Sequence, residues 1–391
     1  MGRAAPGSCA VLDSQPSDDE RDTFVMVFVR GGLDSFSLLV PHGDDAYFLA
    51  RPRTSVPRSM VHDIDGYFGL NHAASPLLPL YREGRLAFAT AIGHVVDTRS
   101  HFQSMRHVEE AFTGPGSIGT GWIARHLNAT PQMGSGPGRA IALNATLPTS
   151  LQGGPATIPV PSLADFGFRG PAEGRAARVA ALRRMYSIAP EPDRGAGLAA
   201  LGLAYELSTI DFAGRVPEGG AEYPAGKLGR GLYEAASLIK ARSGVEVIEA
   251  DSGDWDDHRS TGPRDGAFAA RSHQLGSALA AFMTDLGDDA ERVTVLVLSE
   301  FGRVLAENGS GGTDHGRGGL GMILGGSHVV GGKLYGKWPG IGKDELDSGA
   351  LRVTLDARDV LAEILHKRLR TQDIGAVLPG HSPAMLGMLR E

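Results

Sequence analysis

The sequence of 391 residues has a single cysteine, Cys9, so no disulfide bond can form within the chain. Its apolar runs are short: the segment 293–298 is among the longest, whereas a helix that crosses a bilayer needs roughly 18 to 20 apolar residues. No run of five Lys or Arg residues occurs, and 38 basic against 45 acidic residues give a formal net charge of −7. We therefore expect neither a membrane nor a nucleic acid as a partner.

The first 22 residues are polar and lack the apolar stretch, about 7 to 15 residues long, of a secretory signal. We expect a cytoplasmic protein in which residues 1–22 form a flexible tail before one domain at residues 23–391. A chain of this size can bury a substantial core without disulfides or a structural metal.

Glycine is abundant, with 55 Gly and 23 Pro residues. They are concentrated between segments that have the patterns of strands and helices, which is typical of loops at a functional edge rather than of disorder. The Gly-rich segments are 114–121, 134–138, 152–155, 309–332 and 336–342.

The alternation of short apolar runs with helical patterns predicts an α/β fold around a mainly parallel sheet. The predicted strands are 23–30, 86–92, 140–143, 245–248 and 293–298. Helices are predicted at about 74–82, 101–112, 227–242, 266–286 and 354–370, where apolar residues recur at intervals of three and four. Residues 145–225 instead indicate a helical insertion or cap, which either covers a face of the sheet or recognises the substrate.

Two polar positions follow predicted strands. Asp34 lies just past the first strand, where open parallel sheets place ligand-binding groups, although an Asp there can also simply cap the next helix. Ser100 precedes the helix predicted at 101–112, in the field of unpaired backbone N–H groups. Ser100 is therefore either an activated nucleophile or a plain N-cap serine.

Carboxylates and histidines are concentrated after two later strands. Segment 251–258 carries four carboxylates and one histidine, which repel one another unless a cation neutralises them, and Asp256 and His258 point the same way if the loop is extended. The Gly-rich segment after Glu300 contains Asp314 and His315, a pair that can offer ligands to two neighbouring ions. Alternatively, both segments are surface loops whose charged side chains are solvated. Because all these groups follow strand ends, we expect a dinuclear metal site at one edge of the sheet.

Six segments resemble, in order, the bacterial family called domain of unknown function 1501, a sulfatase-like branch of the alkaline phosphatase superfamily. They are RGGLDSFSLLVPHGDDAYF, GLNHAASPLLPLY, DTRSHF, WDDH, SEFGR with ENGSGGTDHGRGG, and GGKLYGKWPG. The resemblance covers about residues 23–380. It implies a doubly wound, alkaline-phosphatase-like α/β fold with two divalent metal ions around a nucleophilic Ser or Thr at a helix start.

The resemblance also implies roles for single residues. Ser100 resembles the nucleophile, with Thr98 as the alternative, and Glu300 resembles a further ligand or an acid behind the ligands. The family's third histidine ligand has no clear counterpart late in the chain, and His101 or His72 is the expected substitute. The other implied metal ligands are Asp34, Asp256, His258, Asp314 and His315. The arginines expected to hold ester oxygens, which guanidinium groups match in geometry, are Arg99, Arg303 and Arg317.

The expected function is hydrolysis of a small phosphate or sulfate ester, with Ser100 attacking in line. Imidazole and carboxylate ligands favour Zn or Mn over Ca or Mg as the two ions. A transferase or mutase on the same site, and a metal-binding protein without hydrolytic activity, are the alternatives.

Overall fold

The computed structural model describes residues 22–131, 138–155, 157–166, 168, 171, 173–191 and 193–391. The predicted tail, apart from residue 22, lies outside these ranges. None of the helices within them combines the length and the apolar character needed to cross a membrane.

Fourteen strands lie in the described part of the chain. They are β1 Thr23–Val29, β2 Leu39–Val40, β3 Val61–Asp63, β4 Gly69–Asn71, β5 Leu86–Gly93, β6 Ala140–Ala142, β7 Ile158–Pro159, β8 Val247–Ser252, β9 Val293–Ser299, β10 Arg303–Glu307, β11 Thr313–His315, β12 Gly319–Leu324, β13 Leu334–Tyr335 and β14 Leu355–Asp356. Strands β2 to β4 form a small sheet, β10 and β11 form an antiparallel pair, and the remaining nine belong to the central sheet.

Eleven α-helices lie in the same residues, and the five predicted outside the insertion are present. The helices are α1 Ser35–Leu38, α2 Asp45–Ala50, α3 Leu78–Arg82, α4 His101–Glu110, α5 Trp122–Ala129, α6 Arg175–Ser187, α7 Asp193–Leu207, α8 Lys227–Lys240, α9 Ala267–Leu286, α10 Ala357–Lys367 and α11 Ile374–Val377. Short 3₁₀ helices at Arg58–Met60, His72–Leu77, Thr149–Leu151, Glu218–Gly220 and Gly287–Arg292 complete the set.

The central sheet has the strand order β13-β5-β12-β9-β1-β8-β6-β7, with β14 also paired to β5. Strand β12 is antiparallel to both neighbours, and the other pairs are parallel. The predicted mainly parallel sheet is confirmed.

Both faces of the sheet are covered, as the continuous apolar sequence of β1 predicts. Phe24 and Phe28 pack on one face with apolar residues of α4, α5 and α10, while Val25 and Val27 pack on the other with those of α8 and α9. Alternate side chains of a strand point to opposite faces, so one seven-residue strand contributes to two cores. The doubly wound α/β architecture is thus present.

The prediction of a Gly-rich loop over 309–332 is wrong at its centre, because β12 lies there. Its six residues are buried, and it pairs with β9 on one side and β5 on the other. Glycine weakens the local strand pattern, and burial between β9 and β5 holds the segment extended.

The insertion over 145–225 contains the two expected helices, α6 and α7, and also the short strand β7. Leu203 and Leu207 of α7 join the core on one face of the sheet, whereas α6 has no buried side chain. The position of α7 is therefore explained by its packing against one face of the sheet. Recognition of a substrate by the insertion stays a prediction.

Strands β1, β5, β8 and β9 run in the same direction, so they end at the same edge of the sheet, where the antiparallel β12 begins. The segments after these strands, and the segment before β12, carry the acidic and histidine clusters. The topology thereby brings distant parts of the chain together.

Candidate metal centre

Three histidines and one aspartate from separate segments converge at this edge. His101 is the first residue of α4, Asp256 and His258 follow β8, and His315 ends β11. Nε2 of His315 lies 2.9 Å from Nε2 of both His101 and His258, and 3.2 Å from Oδ1 of Asp256. The same Oδ1 lies 3.3 Å from Nε2 of His101 and 3.1 Å from Nε2 of His258.

The opposite ring nitrogen of each histidine already faces an acceptor. Nδ1 of His101 lies 2.7 Å from Oε1 of Glu300, Nδ1 of His258 lies 3.2 Å from Oδ1 of Asp314, and Nδ1 of His315 lies 2.8 Å from the carbonyl oxygen of Arg99. Hydrogen bonds from Nδ1–H to these acceptors leave a lone pair on each Nε2. Lone pairs this close repel, so a cation, either a proton or a metal ion, must lie among them.

Glu300 holds His101 from within the protein. Its side chain is fully buried, and its carboxylate also accepts hydrogen bonds from the Gly31 N–H at 2.8 Å and the Ser299 hydroxyl at 2.9 Å. Burial alone would raise the pKa of Glu300, but the hydrogen bonds, that of His101 first, lower it overall. Glu300 therefore lies as an anion behind His101. Its role as a ligand or as an acid behind the ligands stays a prediction.

The charges around Asp256 also favour its ionised form. Burial would raise the pKa of this carboxyl group, but the hydrogen bond and the charge of Arg303, 2.6 Å away, lower the pKa to about 2. The Asp256 side chain remains 46% exposed, and that of His258 39%. The cluster is thus open to solvent on this side, where a small molecule can reach it.

Asp34 is not brought into the cluster. Its two carboxylate oxygens accept hydrogen bonds from Arg51, at 2.5 and 3.0 Å, and one of them also accepts the Ser37 hydroxyl at 2.6 Å. Asp34 and Arg51 are both buried. Asp34 is therefore paired with a cationic side chain, and no sequence signal indicated that Arg51 would be this partner.

The three arginines expected to hold ester oxygens instead bind parts of the protein. Arg99 donates to the backbone carbonyl groups of Asp347, Ser348 and His315. Arg317 pairs with the carboxylates of Asp347 and Asp97.

Arg303 is completely buried, and its guanidinium group makes hydrogen bonds to the loops around the cluster. Besides Asp256, it donates to the carbonyl oxygens of Gly31, Gly32, Thr313 and Trp255. All three arginines therefore hold the loops of the site in position.

Ser100 lies next to two residues that touch the cluster. The preceding residue, Arg99, offers its carbonyl oxygen to His315, and the following residue is His101 itself. Ser100 is the N-cap residue of α4, yet its side chain makes no capping hydrogen bond. The hydroxyl of Thr98, by contrast, is bonded to Oε1 of Gln103 at 2.7 Å and to the N–H of Ser100 at 3.3 Å.

His72, the other residue considered as a substitute for the third histidine, lies elsewhere. It is exposed and belongs to a 3₁₀ helix, with its ring against that of His62. Asp257, which lies between Asp256 and His258 in the chain, pairs with Arg271. Of the two expected substitutes for the third histidine, His101 is the one in the cluster.

The comparison with known protein families bears on the second half of the chain. Residues 223–373 match the family described as "Protein of unknown function (DUF1501)". The match includes Asp256, His258, Glu300, Asp314 and His315, and it confirms the family resemblance over that range. No curated protein matches the chain.

Among solved structures, the chain is similar to the one described as "Crystal structure of Ps i-CgsB". The sequence identity is 10%, the TM-score is 0.41, and the similarity covers 92% of this chain and 75% of the other. It is also similar to the "PsFucS1 sulfatase from Pseudoalteromonas sp.", at 11% identity and a TM-score of 0.41, over 96% of this chain and 73% of the other. Similarity at this level assigns neither chemistry nor substrate to the chain.

Proposed function

We propose that this chain is a metal-dependent hydrolase of sulfate or phosphate esters. The proposal depends on one observation: three Nε2 atoms and a carboxylate oxygen converge while every opposite Nδ1 faces an acceptor. Metal-binding histidines characteristically donate their second N–H to a carboxylate or a backbone carbonyl, which fixes the ring and its tautomer. A metal ion can bond to all of these atoms at once, whereas a proton can be shared by only two of them.

The ligands in this proposal are His101, Asp256 and His315, with His258 beside them. These first three form a group whose ligand atoms lie 2.9, 3.2 and 3.3 Å apart. Ligand atoms at about 2.0–2.1 Å from Zn²⁺ in a tetrahedral site lie roughly 3.3 Å from each other, so the spacing suits this ion. When bound, a divalent ion would supply Lewis-acid polarisation of an ester oxygen and of a nearby hydroxyl group.

We propose one ion at this point, Zn or Mn. Two ions were expected because Asp34, Asp256, His258, Asp314 and His315 exceed one tetrahedral site, and Asp34 is paired with Arg51 instead. The described residues contain one group of at least three His, Cys, Asp or Glu side chains with this spacing. A stoichiometry of two ions stays a prediction that elemental analysis can test.

Ser100 is the nucleophile in this proposal. Its hydroxyl is not used as a helix cap, and both of its peptide neighbours touch the cluster. In the first step the Ser100 oxygen would bond to sulfur or phosphorus, the bond to the alcohol oxygen would break, and the Ser100 proton would end on the departing alcohol. In the second step water would release sulfate or phosphate and restore the serine.

Metal analysis combined with a small ester panel tests the proposal. We expect about one Zn or Mn per chain, turnover of 4-nitrophenyl sulfate or phosphate, loss of turnover with a chelator and recovery with added metal. A chelator should also lower the melting temperature, because a ligand bound only by the folded state stabilises it. The matched variants are His315→Gln, which should lose both metal and turnover, and His72→Gln, which should keep them.

The outcomes separate the alternatives. Bound metal without turnover of any ester would contradict the proposal and favour a non-hydrolytic metal-binding protein. Transfer to an added alcohol in preference to water would favour a transferase. Absence of metal, with no effect of added Zn or Mn, would show that protons neutralise the histidine cluster.

A further inference from the structure

The guanidinium group of Arg30 joins the two segments that bring His101 and Asp256 together. Arg30 follows β1, and its side chain lies between α4 and the end of β8. Nη2 donates to Oε1 of Glu109 at 3.0 Å, and Nε lies 2.8 Å from Oδ2 of Asp251. Glu109 belongs to α4 and Asp251 to β8, so a single side chain connects a helix with a strand.

The face of α4 that Arg30 contacts is the face that carries His101. Nη1 of Arg30 lies 3.3 Å from Sδ of Met105, one turn before Glu109. His101, Met105 and Glu109 follow one another at intervals of four residues, and residues at this interval lie on one face of a helix. The contacts of Arg30 therefore constrain both the distance of α4 from β8 and the direction in which His101 points.

The backbone of Arg30 is attached to the segment that carries Asp256. The N–H of Arg30 donates to the carbonyl oxygen of Ser252 at 2.8 Å, and its own carbonyl oxygen accepts from the N–H of Trp255 at 3.2 Å. The next residue, Gly31, lies so close to this segment that an added Cβ would be 2.5 Å from the backbone nitrogen of Asp256. Side chain and backbone of Arg30 thus hold opposite sides of the same centre.

The side chain of Arg30 is itself held in place. Its guanidinium carbon lies 4.4 Å from the centroid of the Phe28 ring, and the side chain is 25% exposed. Phe28 is completely buried in the sheet. A guanidinium group offers its donors in a rigid planar fork, whereas a lysine ammonium group is a single point charge. Arg30 can therefore hold Glu109 and Asp251 at a defined spacing.

The charge of Arg30 also decides whether α4 and β8 attract or repel each other. Burial raises the pKa of Glu109, the charge and hydrogen bond of Arg30 oppose this rise, and the charge of Asp251 adds to it. The two carboxylates, one on each element, therefore lie within electrostatic range of each other. Without the guanidinium group between them, like charges would face each other at a partly buried position and would repel.

We propose that Arg30 is a positioning residue of the metal centre, which holds α4 at the distance from the loop after β8 where His101 and Asp256 can share one cation. In the structure, Nε2 of His101 and Oδ1 of Asp256 are 3.3 Å apart. The inference rests on the proposed function in taking a metal ion as this cation. The spacing itself can be measured after metal has been removed, so the two proposals can fail separately.

Titration of Zn²⁺ against a competing chelator tests the positioning role on the full-length protein. Arg30→Met keeps much of the length of the side chain without its charge, and it should weaken Zn²⁺ affinity at least about tenfold, as altered support around metal ligands typically does. Arg30→Lys keeps the charge, so the carboxylates stay compensated and the variant should fold. Because it loses the fork, it should still bind Zn²⁺ more weakly than the unaltered protein.

Arg215→Met is the matched control. Arg215 is 17% exposed, pairs with Asp285 at 2.6 Å and lies 4.6 Å from the centroid of the Tyr233 ring, so its surroundings are like those of Arg30. Asp285 is near the end of α9, which leads to the start of β9 at the edge of the sheet opposite the metal centre. Arg215→Met should lower the melting temperature measured in chelator, as Arg30→Met does, but should leave Zn²⁺ affinity unchanged.

A crystal structure of the metal-free Arg30→Met variant, or of Arg30→Lys if Arg30→Met does not fold, measures the spacing directly. The separation between Nε2 of His101 and Oδ1 of Asp256 should increase by about 1 Å or more, which is enough to impair a binding site. The positioning role is overturned by an unchanged separation, by normal Zn²⁺ affinity in both Arg30 variants, or by an equal loss of affinity in Arg215→Met. If the unaltered protein binds no metal, the proposed function fails, and the separation alone decides on Arg30.

Discussion

At the scale of single residues, Ser100 and Thr98 differ in what their hydroxyl groups already do. Thr98 bonds to Gln103 and to the N–H of Ser100, whereas Ser100 makes no capping hydrogen bond. If Ser100 is the nucleophile, as we propose, Ser100→Ala should reduce turnover on the order of a thousandfold or more without loss of folding, because it removes the oxygen that attacks the ester. Steady-state kinetics and the melting temperature measure the two effects.

Thr98→Ala is the internal control for Ser100→Ala. Loss of its hydrogen bonds should cost about 1 kcal/mol of stability and leave most of the turnover. Loss of activity in Thr98→Ala but not in Ser100→Ala would identify Thr98 as the nucleophile. Activity in both variants would mean that neither hydroxyl attacks the ester.

Asp34 should contribute to stability rather than to metal binding. Removal of one partner from a buried ion pair leaves the other charge uncompensated, which typically costs about 3–5 kcal/mol. Asp34→Ala should lower the free energy of unfolding by about this amount, measured with denaturant, while the folded variant keeps its metal. Asp45→Ala, which breaks the exposed pair with Arg58, should cost at most about 1 kcal/mol. If the folded Asp34→Ala variant contained no metal, Asp34 would instead be a metal ligand, as the sequence predicted.

At the scale of elements, the Gly-rich segment between β10 and β11 packs directly against the backbone of the segment that carries His258. A Cβ at Gly312 would lie 2.1 Å from the carbonyl carbon of His258, whereas a Cβ at Gly309 would meet nothing within 4 Å. Gly312→Ala should therefore displace His258 and weaken metal affinity at least about tenfold, the lower end of what altered support around metal ligands costs. Titration with a competing chelator measures the affinity.

Gly309→Ala is the matched variant in the same segment, and it should bind metal normally. If both alanine variants bind metal as tightly as the unaltered protein, His258 makes no contribution to the centre. If both bind it more weakly, the segment needs the flexibility of glycine rather than a close approach at one position.

The elements with regular apolar patterns could be predicted from the sequence, and those defined by distant contacts could not. The continuous apolar run of β1 and the helical periodicity of α9 are features of the local sequence, so both elements can be predicted without knowledge of their tertiary contacts. Strand β12 contains two glycines and is held by its neighbours. Similarly, Asp256, His258 and His315 could be predicted as site residues from their positions after strand ends. No spacing in the sequence indicates that Arg51 pairs with Asp34.

At the scale of the whole molecule, the sheet buries ionisable groups whose effects on stability oppose each other. His126 on α5 is buried beside the Thr371 hydroxyl at 2.9 Å, and burial lowers its pKa from 6.5 to about 4. Glu249 lies in the middle of β8, and burial raises its pKa from 4.5 to about 8. Each is kept mainly neutral by the fold at pH 7.

Proton linkage gives the two groups opposite signs. Between about pH 4 and 6.5 the unfolded chain holds a proton on His126 that the folded chain lacks, so His126 makes stability fall as the pH falls. Between about pH 4.5 and 8 the folded chain holds a proton on Glu249 that the unfolded chain lacks, so Glu249 makes stability fall as the pH rises.

Variants that cannot titrate should therefore change the pH dependence in opposite directions. Relative to the unaltered protein, His126→Gln should become more stable as the pH falls from 7 to 4, and Glu249→Gln as the pH rises from 5 to 8. Since one pKa unit corresponds to about 1.4 kcal/mol, each relative change should exceed about 1 kcal/mol in denaturant unfolding across its range. Each variant is the control for the other, because a general effect of pH on the fold, including loss of metal, moves both in the same direction. Parallel changes in the two variants would mean that these groups do not set the pH dependence of stability.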